Sequence, residues 1–220
     1  MRHAAALFAL AAALLPAACA DDDAAAPAYI QELADVATGT DGMPLRLERD
    51  NGETLAVLSR SGVTAMKADT TYRAAVAYTR QDGGAALASV STFLAPLPKT
   101  YPAETLLLDT PVEKVAACWA TGKYLNFKLS LLTSNDVTHA FAFHEEELHA
   151  NADGTRTLRL RLLHQQSGNA AYYTRTAYIS LPLAALTSQL RQGTDTVSVS
   201  VTTPSGRTTY PRLFNPITGK

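Results

Sequence analysis

The chain has 220 residues, with 19 Lys+Arg against 20 Asp+Glu and a formal net charge of −1. That balance supplies no electrostatic field for steering DNA, RNA or a strongly anionic membrane surface, so nucleic acid is not expected as a partner. Its two cysteines, Cys19 and Cys118, cannot form a disulfide framework if the first is modified, and stability must then come from apolar cores alone.

The first 18 residues read as a signal peptide. Arg2 and His3 form a short positive start, and Ala4 to Leu15 is an uncharged apolar run, too short to span a bilayer as a helix. The run ends at Leu15-Pro16-Ala17-Ala18-Cys19. Small residues before a cysteine suit a lipoprotein signal peptidase, which makes Cys19 the lipid-anchor site. Pro16 stands where a leucine is usual, so an ordinary secretory cut after Ala18 is the alternative. Residues 19–28, with Asp21-Asp22-Asp23 and a run of alanines, are too poor in apolar bulk to fold and read as a tether. The three aspartates are either a solvated spacer or a sorting signal; an acidic stretch after the lipidated cysteine resembles the surface-export signal of lipoproteins in some Gram-negative anaerobes.

From residue 29 to 98 the pattern is five short strands. Leu33 and Val36 mark the first, over 31–38. Leu45 and Leu47 alternate with Arg46 and Glu48. Asp50-Asn51-Gly52 is a hairpin turn, and 54–59 returns through Leu55, Val57 and Leu58. Residues 71–80 place Tyr72, Ala74, Val76 and Tyr78 on one face. Gln81-Asp82-Gly83-Gly84 turns into the last strand, 85–94. So many strands in so short a stretch fit a small closed barrel of the OB type, in which closure removes the sheet edges. Tyr72 and Tyr78 read as packing in or at the rim of that barrel rather than as a stacking platform for bases.

The proline-rich run from Ala95 to Pro102 marks a domain boundary near Lys99. Residues 99–220 are again β: Leu125, Phe127, Leu129 and Leu131 share one strand face, Phe141 and Phe143 another, then Leu158, Leu160 and Leu162, then Val197, Val199 and Val201. Turns fall at Asn151 to Gly154, Gln165 to Asn169 and Thr203 to Gly206, a strand over 172–181 stops at Pro182, and 183–190 reads as one or two helical turns. Alternation with regular turns predicts a β-sandwich. The fold expected is therefore all-β: a small OB-like barrel and then a β-sandwich, after a lipoprotein signal peptide.

Asp109-Thr110-Pro111-Val112, then Trp119, then Gly122-Lys123-Tyr124-Leu125-Asn126 resemble the start of the C-terminal domain of NigD-like lipoproteins. Leu160 to His164 and Tyr173 to Leu183 extend that resemblance, and the hairpin from Leu45 to Leu58 with Tyr72 to Thr79 resembles the family's N-terminal OB-like domain. Lys123 stands where the pattern has an acidic residue, and Gln165 where it has asparagine. The resemblance implies two β domains on a lipid anchor and suggests a role beside bacteriocin production or immunity. It carries over no catalytic residue.

The residues themselves offer little chemistry. In His144-Glu145-Glu146-Glu147-Leu148-His149 the histidines are five apart, whereas a zinc-protease motif needs four. On a strand that spacing sends them to opposite faces, as it does His139 and His144, so no metal is expected. Cys118, within Val115 to Trp119, has no local activating charge and reads as a buried thiol. No Gly-x-Ser-x-Gly elbow is present. Asp35, Asp41 and Asp50 could supply a carboxylate pair, but the sequence does not say which meet. Trp119, Tyr124, Tyr172 and Tyr173 are the candidate ligand-binding residues, able to stack on a glycan or a protein partner. The function expected is a non-enzymatic, lipid-anchored accessory or binding protein of the outer membrane, with no cofactor. The alternatives are an exported hydrolase with an interdomain site and a fimbrial or assembly subunit that accepts a donor strand.

Overall fold

The computed structural model describes residues 28–107, 109–168 and 173–217. The signal segment, Cys19, the acidic tether and Tyr172 lie outside the described residues. No helix among those described is long and apolar enough to cross a membrane.

Five strands, β1 (Ile30–Thr38), β2 (Pro44–Arg49), β3 (Thr54–Ser59), β4 (Thr71–Gln81) and β5 (Gly84–Phe93), close into a barrel in the order β1-β2-β3-β5-β4. Its ladders are antiparallel except β3 with β5, which is parallel. The period-two reading of β4 holds, since Ala74, Val76 and Tyr78 all point inward at 3 % exposure or less. Alanines at 34, 74 and 85 let the strands approach, and Leu47, Leu55 and Tyr78 fill the centre. Leu45 departs from the expected face. Ala37 pairs with Arg46 and Thr38 with Pro44, so Leu45 is the extra residue of a bulge and turns out to solvent, 58 % exposed. Gly84 starts β5 beneath β3, where a Cβ would meet Leu58 Cγ at 2.6 Å and Ala56 O at 2.7 Å.

The second half is a sandwich. One sheet has the order β10-β7-β6, from β6 (Lys114–Ala120), β7 (Tyr124–Thr133) and β10 (Tyr173–Pro182). The other has the order β12-β11-β9-β8, from β8 (Thr138–Ala150), β9 (Arg156–Ser167), β11 (Thr196–Thr203) and β12 (Gly206–Leu213). Leu125, Phe127, Leu129 and Leu131 on β7 face Phe143, Leu158, Leu160, Leu162 and the three valines of β11 in one apolar core. Each such side chain taken fully out of water contributes about 1.5–3 kcal/mol, so this layer dominates the stability of the half. The 183–190 segment forms a single 3-10 turn, Leu183–Leu186, whose two leucines cap the core.

The proline-rich run is extended, and it is hydrogen-bonded to the sandwich rather than free. Ser180 N–H donates to Leu94 O (3.2 Å), Lys99 N–H to Phe143 O (3.1 Å) and Glu145 N–H to Lys99 O (3.1 Å). Tyr101 N–H donates to His144 Nδ1 at 3.0 Å. Further along, the carboxylate of Asp109 accepts from His164 N–H (3.1 Å) and from the Thr202 hydroxyl (2.7 Å), tying the chain to β9 and β11 at once.

Candidate functional site

The barrel meets the outer face of the three-stranded sheet, and their contact is polar at its centre. Arg73, 5 % exposed, projects from β4 toward the sandwich. Its guanidinium donates two bonds to Asp50, at 2.5 and 2.6 Å, and one each to Asn126 Oδ1 (3.1 Å) and Ser180 Oγ (3.3 Å). Asp35 on β1 lies 3.5 Å from the same guanidinium. From the other side, Lys123 Nζ pairs with Asp35 and lies 3.2 Å from Glu48, and the Tyr124 hydroxyl donates to both Asp35 oxygens at 3.0 and 3.1 Å. Burial, with the Asp35 charge beside it, holds the Tyr124 hydroxyl well above its ordinary pKa.

Local structure explains the aim of these groups. The tight turn between β6 and β7 is closed by Thr121 N–H to Tyr124 O at 2.8 Å. Gly122 leaves room for Ile217, whose nearest carbon would lie 2.0 Å from a Cβ there. The turn thereby presents Lys123 to the barrel. Asp50, at the start of the β2–β3 hairpin, uses its side chain on Arg73 while Asn51 and Gly52 make the turn. Asn126 and Ser180 alternate with core residues, as outward-facing strand positions do. Both are nonetheless 0 % exposed, because the barrel covers that face. Ser180 donates to Asn126 Oδ1 at 2.6 Å, leaving Asn126 Nδ2 as the one buried side-chain polar atom without a partner among the described residues.

Beside this seam opens a cleft of about 640 Å³ between barrel and sandwich. Trp119, Lys128 and Tyr178 line it from the sheet, and Gln31, Glu32, Asp50, Ser89 and Ser91 from the barrel side. Of the four aromatics singled out from the sequence, Tyr172 lies outside the described residues and the other three are placed differently. Trp119 lines the cleft. Tyr124 is built into the seam. Tyr173, 49 % exposed, lines a separate groove with Arg175 and His139. In register, Trp119 lies opposite Asn126 and Tyr173 opposite Thr133, seven positions apart on β7, so the two do not share a surface. Tyr178, inside the same predicted strand as Tyr173, is the aromatic that joins Trp119 across the cleft.

The histidines also separate. His139 and His144 fall on opposite faces of β8, as their spacing requires. His139 meets His164 across the β8–β9 ladder instead, Nδ1 to Nε2 at 2.9 Å with the rings 5.1 Å apart and stacked. His164 Nδ1–H donates to Thr110 O (2.9 Å), which makes its Nε2 the acceptor and His139 Nδ1–H the donor. His139 Nε2 then accepts from the Thr133 hydroxyl at 3.0 Å. This chain is complete with both rings neutral, and burial pushes the pKa of each below the ordinary imidazole value. A bulge between Glu145 and Glu147 resets the parity of β8, and His149 ends beside Glu147 at 3.3 Å. Among the described residues, no group of three or more His, Cys, Asp or Glu is arranged to hold a metal ion. Burial pushes the Cys118 thiol up to about 11.

Several known proteins resemble this one. A NigD-like immunity protein from Bacteroides caccae superimposes with a TM-score of 0.66 at 28 % identity, over 85 % of this chain and 93 % of that one. A protein of unknown function from Bacteroides vulgatus (DUF1344) gives 0.61 at 19 % identity, over 87 % and 93 %. A protein from Bacteroides fragilis described as a lipoprotein gives 0.63 at 11 %, over 87 % and 100 %, a likeness of fold. No curated protein matches the chain. The family model for the NigD-like C-terminal beta sandwich domain matches residues 97–212, more than half of the sequence. With the barrel preceding that sandwich, the chain belongs to the NigD-like family.

Proposed function

We propose that this is a lipid-anchored, non-enzymatic binding protein of the outer membrane, held by Cys19 and capturing its partner in the cleft between barrel and sandwich. The observation that carries the reading is the seam. Its charged groups are engaged with one another across the two halves, which fixes the walls of an open cleft and leaves no free acid or base in the seam. An immunity-type role is the setting suggested by the Bacteroides caccae relative, and the Bacteroides fragilis relative supports the lipid anchor.

The hydrolase alternative called for two close carboxylates between the halves. Asp35 and Asp50 do meet there, on either side of Arg73. Both oxygens of Asp50 accept from Arg73, and those of Asp35 accept from Lys123 and Tyr124. The oxygens of both carboxylates are thus taken up by partners within the protein, and neither is presented to the cleft as an acid–base pair would have to be. The high pKa of the Cys118 thiol opposes nucleophilic catalysis.

Site-specific photo-crosslinking in cells tests the reading. A benzoylphenylalanine at Ser89, in the cleft wall, should yield an adduct in the membrane fraction, and one at Gly154, in the distant β8–β9 turn, should not. Absence of any adduct from Ser89, or equal adducts from both positions, would overturn it. Cys19→Ser should move the protein out of the membrane fraction and abolish palmitate labelling.

A further inference from the structure

Resting on the reading of the cleft as a binding site, we infer that its ligand is an oligosaccharide bearing a carboxylate. The floor is a row across three strands. Lys128 on β7 lies in register with Tyr178 on β10 and with Ala117 on β6, two residues before Trp119. Trp119 and Tyr178 therefore stand on a diagonal, two strand spacings across and two residues along, about 12 Å, with Lys128 beside the line that joins them. Aromatic faces at such a separation suit the apolar faces of alternate sugar rings, and Gln31, Ser89, Ser91 and Thr121 supply amide and hydroxyl groups for sugar hydroxyls.

Charge selects the acid. The two carboxylates in the walls are already paired: Glu32 accepts from Arg49 at 2.6 Å and from the Tyr78 hydroxyl at 2.8 Å, and Asp50 accepts from Arg73. Lys128 forms no ion pair among the described residues, so the cleft floor holds an uncompensated cation beside its two aromatic platforms. A peptide strand is disfavoured there, because strand addition needs a sheet edge and the floor is a sheet face that presents side chains. A nucleic-acid strand would need a basic track along its phosphates, and one lysine is not a track.

Trp119 is the only tryptophan of the chain, so intrinsic emission reports this cleft directly. The experiment titrates the full chain, purified in detergent, with trigalacturonate and with maltotriose as the neutral comparison. The expected result is a saturable emission change with trigalacturonate, about tenfold weaker affinity for maltotriose, and a similar loss for trigalacturonate in Lys128→Ala and Tyr178→Ala, with circular dichroism showing that both variants are folded. Equal affinity for the two sugars, no response to either, or unchanged trigalacturonate affinity in Lys128→Ala would overturn the inference. A protein adduct from Ser89 together with a silent titration would overturn the saccharide while leaving the binding reading in place.

Discussion

The guanidinium of Arg73 lies 3.9 Å from the ring centroid of Tyr124, a cation of the barrel resting on an aromatic of the sandwich. The same side chain binds Asp50 in its own half and Asn126 and Ser180 in the other. One residue thus satisfies polar groups from both halves, of which Asn126 and Ser180 are fully buried. Arg73→Met leaves the largely buried Asp50 carboxylate without its cation, while Asn126 Oδ1 keeps only the Ser180 hydroxyl as donor. Removing one member of a buried ion pair costs about 3–5 kcal/mol, so urea denaturation of this variant should show a loss of that size. A loss below about 1 kcal/mol would mean that water replaces the guanidinium and that the seam contributes little.

The paired histidines set an acid sensitivity. In the unfolded chain imidazoles titrate near ~6.5, whereas burial lowers both His139 and His164 in the folded state. In the window between, the unfolded chain binds more protons. Stability is therefore fully present above ~6.5 and is lost as pH falls through the two folded values. Glu53, held at about 2 by Arg80 and Arg49, titrates well below this window. The urea midpoint should fall from pH 7.5 to pH 5, and His139→Gln should flatten that fall. An equally steep profile in the variant would assign the effect to other groups.

A thiol pushed up to about 11 is almost wholly protonated at pH 8. In a Cys19→Ser background, iodoacetamide should alkylate Cys118 more than about a hundredfold more slowly in the native protein than in urea. Similar rates in the two conditions would place the thiol in an open or activating environment.

Closure of the barrel depends on the close approach at Gly84. A methyl group there would press on Leu58 Cγ and Ala56 O, both under 3.0 Å from the added carbon. Gly84→Ala should destabilise the protein by about 1–3 kcal/mol through overpacking, read as a lowered urea midpoint. An unchanged midpoint would show that β3 yields without loss.

The strands were legible wherever one face carries the core. Leu125 to Leu131, Val197 to Val201 and Ala74 to Tyr78 alternate cleanly, and their faces are inside. Strand β6 was not legible, because Val115 to Trp119 has no polar alternation and pairs through a bulge between Val115 and Ala117. The seam was hidden for a different reason. Asn126 and Ser180 look like solvent-facing strand positions, and Asp50 like a turn former, until a second β layer covers them. The pointer available in the sequence was Arg73, a charge directly before the Ala74-Ala75-Val76-Ala77 run of its strand. Its partners stand 23 to 107 positions away, beyond any local pattern. The His139–His164 contact likewise depends on the register of β8 against β9, which spacing along one strand does not contain.

A cleft of fixed shape requires the barrel and the sandwich to form one rigid unit. The most direct measurement is the distance distribution between spin labels on the two halves. Labels at Asp82 and Ser205, both exposed turn positions, in a Cys19→Ser, Cys118→Ala background, report it by double electron–electron resonance. One narrow distribution is expected, which Arg73→Met broadens. A broad or bimodal distribution in the protein with Arg73 intact would contradict it.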